Sequence, residues 1–182
     1  MKLKPATAIT IASVLVAICF VGSAAIYRQH PLWLLAERPF NELAPRATAV
    51  LTGGERFFLM SLNPAPRQWY ESTGKPTPQG EEFHDYFVQE RIEITDKEER
   101  AALIKALVAG IAAADAAAAC FNPRHGISAE MRGEKVDLVI CFECLQIRVY
   151  GGGGEGVLTT RSAEPAFNAA LHRPRASLRS SL

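Results

Sequence analysis

Residues 120–150 read CFNPRHGISAEMRGEKVDLVICFECLQIRVY, and the way this stretch pairs with itself decides the fold. Val136, Leu138, Ile140 and Phe142 are apolar at every second position, with Asp137 and Glu143 on the opposite face. A period of two marks a half-buried strand. Arg132-Gly133-Glu134-Lys135 separates this run from Ile127–Met131, so the stretch reads as a β-hairpin. A two-residue turn at Gly133-Glu134 would set Arg124 opposite Glu143 as a cross-strand ion pair and His125 opposite Phe142. Further on, Leu145, Ile147 and Val149 are apolar while Gln146 and Arg148 are polar. The apolar phase therefore slips by one residue near Glu143–Cys144. In one continuous strand such a slip would expose half the apolar face unless a bulge absorbs it. The expectation is a β-bulge that brings Cys141 and Cys144 to one face.

The same stretch holds three of the four cysteines and a histidine at Cys120, His125, Cys141 and Cys144. Cys120 can reach Cys144 if the Asn122-Pro123 kink takes up the difference in register. Three fates are open: a Cys120–Cys144 disulfide, favoured in an oxidising compartment; buried free thiols; or zinc in a Cys3His site made of Cys120, His125, Cys141 and Cys144. No cofactor is expected; zinc is the one these ligand types would allow, although Phe142-Glu143 lacks the glycine usual between two zinc cysteines. A thioredoxin-like redox pair fits poorly, because that chemistry places Cys-x-x-Cys at a helix N-terminus and this pair lies in a strand. A nucleophile and base built from Cys120 and His125, with Asp115 orienting, is the catalytic alternative.

The pattern C-F-x-P-R-H-G followed by C-F-x-C resembles a family of small bacterial α+β proteins, over roughly Arg56 to Leu171. No activity is attached to that family, so the resemblance implies a folded domain and no particular chemistry.

Around the hairpin, the chain reads as an α+β domain. Arg56–Leu62 is strand-like and ends at Asn63-Pro64-Ala65-Pro66. A proline-punctuated loop follows to residue 82, holding Trp69 and Tyr70 as a candidate binding surface. Phe83–Ile94 is a second strand. Thr95-Asp96-Lys97-Glu98 reads as a capping box for a helix over residues 96–117, with Leu103, Ile104, Leu107, Val108 and Ile111 on its buried stripe. After a glycine-rich break, Val157–Thr160 is a short last strand, and Ser162 caps a helix to about Leu171. The sum is a mainly antiparallel sheet of about five strands with two helices on one face.

Ahead of the domain, Lys2 and Lys4 are followed by no charged residue until Arg28. At about 1.5 Å per residue, a helix over 6–27 spans a hydrocarbon core of about 30 Å. Residues 1–28 therefore read as a membrane anchor, or as a signal peptide cleaved near Ala25. The rest divides into a connector over 29–48, the α+β domain over 49–171 and a disordered basic tail over 172–182. The short basic N-terminus places the domain on the extracytoplasmic side of a single-pass anchor; cleavage would release a secreted domain.

The 182 residues carry a net charge of +1, with 48% hydrophobic and 21% charged residues. One domain fits that length. Near-neutral charge argues against nucleic acid as a partner. The function expected from the sequence is a non-catalytic envelope binding module, with an unknown protein or envelope ligand as partner. The alternative is a thiol- or zinc-dependent enzyme.

Overall fold

The computed structural model describes residues 41–173. The anchor over 1–28, the connector over 29–40 and the tail from 174 onward lie outside the described residues. No helix among the described residues is long and apolar enough to cross a membrane.

Residues 41–173 form an α+β domain around one antiparallel sheet. Its strands are β1 (Arg56–Pro66), β2 (Glu82–Phe83), β3 (Tyr86–Glu93), β4 (His125–Met131), β5 (Glu134–Cys141), β6 (Gln146–Tyr150) and β7 (Val157–Leu158). They lie in the order β2-β3-β1-β4-β5-β6-β7, and each neighbouring pair is antiparallel. Four helices accompany them: α1 (Pro45–Gly53), α2 (Arg67–Thr73), α3 (Lys97–Ala112) and α4 (Glu164–Leu171). Seven strands and four helices correct the expected five and two. The two further strands arise because the run over 136–150 divides into β5 and β6, and because β2, two residues long and too short to show a period in the sequence, is separate from β3.

The main core lies on one face of the sheet. Val50 and Leu51 of α1, Leu103, Leu107 and Ile111 of α3, and Phe167 of α4 pack with Phe57, Leu59, Ile92, Ile127, Leu138 and Ile140. Fully burying such side chains contributes about 1.5–3 kcal/mol each. Helix α1 begins in a segment read from sequence as the end of a connector. Leu43, Ala44 and Ala47 are buried there, so these three residues belong to the core rather than to a connector. Its buried stripe is only Ala47, Val50 and Leu51, and its N-cap, Ala44, offers no side-chain acceptor.

The hairpin register differs from the expectation. The turn is Arg132-Gly133, with φ of 52° and 78°, and Met131 faces Glu134. A two-residue turn of this kind needs positive φ at both positions, which places Gly133 second rather than first. His125 consequently faces Ile140, not Phe142, and Glu143 lies past the end of β5. Arg124 and Glu143 form no ion pair; both are exposed.

The expected bulge is also corrected. The chain reverses through Phe142-Glu143-Cys144-Leu145, with Leu145 at φ 60°, and β6 returns along β5. Ile140 faces Ile147 and Leu138 faces Val149, so even-numbered residues of β5 share a face with odd-numbered residues of β6. A reversal explains the phase slip as well as a bulge does, and it keeps both apolar faces buried.

Helix α3 is shorter than its alanine content suggests. Asp96, not Thr95, is its N-cap; its Oδ1 accepts from the Glu98 N–H at 2.8 Å and the Glu99 N–H at 3.2 Å. The helix stops at Ala112, and residues 114–118 have no regular structure. Ala118 donates its N–H to Cys144 O at 3.1 Å, and Gln146 Nε2 donates to Cys120 O at 3.1 Å. These tertiary bonds hold the segment along the β5–β6 turn and override alanine's helix propensity. At the last helix, Thr160 rather than Ser162 is the cap. Its hydroxyl accepts from the Ser162 N–H at the start of a 3-10 turn, Arg161–Ala163, that leads into α4.

A second, smaller cluster lies on the opposite face: Met60, Leu62, Phe83, Tyr86 and Val139. The pairing of β1 with β3 becomes irregular between Leu62 and Pro66. The β2–β3 hairpin turns at His84-Asp85, both with positive φ (49° and 72°). Its tip lies over the sheet, with the Phe83 ring against Gly126. A Cβ at Gly126 would come within 2.9 Å of Phe83 Cε1, so this close approach requires glycine.

Candidate functional site

Cys120 and Cys144 are joined by a disulfide with a Cα–Cα distance of 5.7 Å, within the normal range for such a bond. Cys141 is a buried free thiol whose Sγ accepts from the Cys144 N–H at 3.1 Å. The four residues weighed as a zinc site do not fit one. Two of the three thiolates are bonded to each other, and no group of three or more His, Cys, Asp or Glu among the described residues could hold a metal ion. The catalytic alternative loses its nucleophile in the same way, because a disulfide sulfur is not a thiolate. Asp115 is exposed beyond the end of α3.

The disulfide ties together the two walls of a polar cleft of about 250 Å³. One wall is Asn122 and Arg124, from the segment that begins at Cys120. The other is Phe142 and Glu143, from the turn that ends at Cys144 and Leu145. Arg161 and Glu164 close it, and His125 lines it from the first residue of β4. His125 is 3% exposed. Its Nε2 lies 2.9 Å from Asn168 Oδ1, which fixes the proton on Nε2 and leaves Nδ1 as an acceptor. Nδ1 has no hydrogen-bond partner among the described residues. The ring meets Phe142 and Phe167 edge-on, at centroid distances of 5.2 and 5.8 Å. Burial lowers the His125 pKa below the usual imidazole value. The Asn168 bond and Glu164 oppose that shift, and Arg124 and His172 add to it.

At the mouth of the cleft, Arg161 Nε donates to Glu164 Oε2 at 3.0 Å. Arg124 and Glu143 stand on different walls, and neither has an ion-pair partner among the described residues.

The opposite sheet face holds a cluster that the sequence reading missed. His84 Nε2 lies 2.8 Å from Asp137 Oδ2, and Lys135 Nζ lies 3.0 Å from the same oxygen. The imidazole stacks flat on Tyr150, with centroids 3.7 Å apart. Asp137 is 6% exposed, and its Oδ1 has no partner among the described residues. Tyr86, nearby in the same face's cluster, has its pKa raised by burial, with Arg148 opposing. The one signal available in the sequence was Asp137 itself, a carboxylate in the middle of an apolar strand. Nothing in the sequence pointed to His84, which is 53 residues away.

Trp69 lies on α2 and is 38% exposed; Lys75 Nζ sits 4.7 Å from its ring centre. Tyr70 is half-buried, its hydroxyl accepting from Asn63 Nδ2 at 2.9 Å and its ring edge-on to Phe87. Of the two aromatics, Trp69 is the more exposed.

Comparison of the chain with protein-family models, with curated proteins and with solved structures finds no match in any of the three. The resemblance carried by C-F-x-P-R-H-G and C-F-x-C therefore rests on those motif residues alone.

Proposed function

We propose that this protein is a non-catalytic binding module held on the extracytoplasmic side of a bacterial membrane by residues 6–27. The observation that carries the reading is the Cys120–Cys144 disulfide. Such bonds persist in oxidising compartments and are rare in the cytosol. The bond also occupies the thiol that a cysteine enzyme would use, and Cys141 is buried. A single bridge closing a chain separation of 24 residues stabilises a small domain by about 2–4 kcal/mol, a structural role sufficient to explain it. Binding surfaces are available at the cleft beside the disulfide and at Trp69.

The test is amine labelling of intact spheroplasts that express the full chain, using a membrane-impermeant reagent. The lysines Lys75 and Lys105 are exposed on the domain. Labelling of both in intact spheroplasts, with an N-terminus still at Met1, is the expected result. Labelling only after lysis would overturn the extracytoplasmic placement, and an N-terminus at Ala25 or Ile26 would overturn the anchor.

A further inference from the structure

The cleft beside the disulfide is lined by both signs of charge. Arg124 and Glu143 have no ion-pair partners among the described residues, and Arg161 and Glu164 pair only with each other. Exposed opposite charges gain little from pairing across water, so their separation costs the free domain little. A ligand that touches both walls would complete them. Its charge is constrained from each side. A phosphate or other dianion would be repelled by Glu143 and Glu164, and a metal ion by Arg124 and Arg161. An apolar molecule would strip water from four charged groups and return nothing. A molecule with one carboxylate and one ammonium meets neither objection. The volume, about 250 Å³, lies below the roughly 300–1,000 Å³ of pockets that hold drug-sized ligands, so the ligand is small.

We propose that this cleft binds a free α-amino acid, its carboxylate held by Arg124 and Arg161 and its ammonium by Glu143. The inference rests on the binding-module reading and gives that module a ligand class. Arg supplies a planar fork of donors matched to a carboxylate, which a single lysine would not. Asn122 offers an amide oxygen to a further ammonium proton. His125 forms the neutral floor, so it adds no third positive charge to the site. The disulfide holds the Arg124 wall and the Glu143 wall at fixed separation before the ligand arrives, which reduces the ordering cost of binding.

The experiment is isothermal titration of the full-length protein in detergent with each of the twenty free L-amino acids, then with the N-acetyl and the carboxamide derivatives of the best binder. Saturable binding with Kd of about 1 mM or tighter is expected for at least one amino acid. Blocking either end should weaken it at least about tenfold, as should Arg124→Ala or Glu143→Gln. Both substituted side chains are exposed, so an unchanged melting temperature confirms that each variant is folded. Absence of saturable binding by all twenty would overturn the proposal. So would derivatives that bind as well as the parent, or acetate or inorganic phosphate binding as tightly as the amino acid. These readouts are independent of spheroplast labelling: loss of amino-acid binding in a correctly exported domain removes the ligand class alone.

Discussion

His84 Nε2 lies 2.8 Å from Asp137 Oδ2, and this contact fastens the tip of the β2–β3 hairpin to the middle of β5. The hairpin belongs to one end of the sheet order and β5 to the other half. The contact is made at some expense, since His84 and Asp85 both hold positive φ, which non-glycine residues adopt at about 1–2 kcal/mol each. Stacking on Tyr150 and a hydrogen bond to a carboxylate offset that strain. A double-mutant cycle with His84→Ala and Asp137→Ala should therefore give a coupling of about 0.5–3 kcal/mol in urea unfolding. Strict additivity would show that the two side chains do not hold the hairpin.

The cap of α3 separates two readings of one sequence. The structure gives both cap bonds to Asp96, so Asp96→Ala should cost about 0.5–2 kcal/mol. Thr95→Ala should fall within about 0.5 kcal/mol of the parent, as substitutions away from such features do. Chemical denaturation of the two variants checks this. The reverse ranking would restore the Thr95–Glu98 capping box.

His125 sets a pH dependence with a definite sign. Its folded-state pKa is lowered by burial, so the unfolded chain takes up the proton first as pH falls. The stabilising contribution of the neutral imidazole is fully present above the unfolded value of about 6.5 and is lost as pH drops from there toward the folded value. The parent should thus lose more stability between neutral pH and pH 5 than His125→Gln does, measured by urea midpoints at each pH. Equal losses would mean that His125 is not held neutral in the folded domain.

The sequence made the long periodic segments legible and the local geometry much less so. The stripe of Leu103, Leu107 and Ile111 located α3, and the alternation in residues 136–140 located β5. The same alternation misled beyond Phe142, because a reversal and a bulge produce the same one-residue slip. Cα pairing of Ile140 with Ile147 distinguishes them, and periodicity does not. The alanine run after Ala112 has high helix propensity, yet its path is set by backbone bonds to the β5–β6 turn, which are long-range. At the candidate site, Cys120, His125 and Glu143 were visible as residue types in one motif. Arg161 and Glu164, which complete the cleft, and Asn168, which fixes the His125 tautomer, come from the 3-10 turn and helix about forty residues after His125, with no spacing to link them.

The bond between Cys120 and Cys144 underlies the proposed extracytoplasmic placement, the loss of Cys120 as a thiol nucleophile and the linking of the cleft's two segments. Its direct measurement is a thiol count on the full-length protein, extracted from membranes under an alkylating agent and unfolded before and after reduction. The chain has cysteines at Cys19, Cys120, Cys141 and Cys144. The account predicts that mass mapping finds Cys19 and Cys141 alkylated before reduction, and Cys120 and Cys144 only after it. Alkylation of all four without reductant would contradict it.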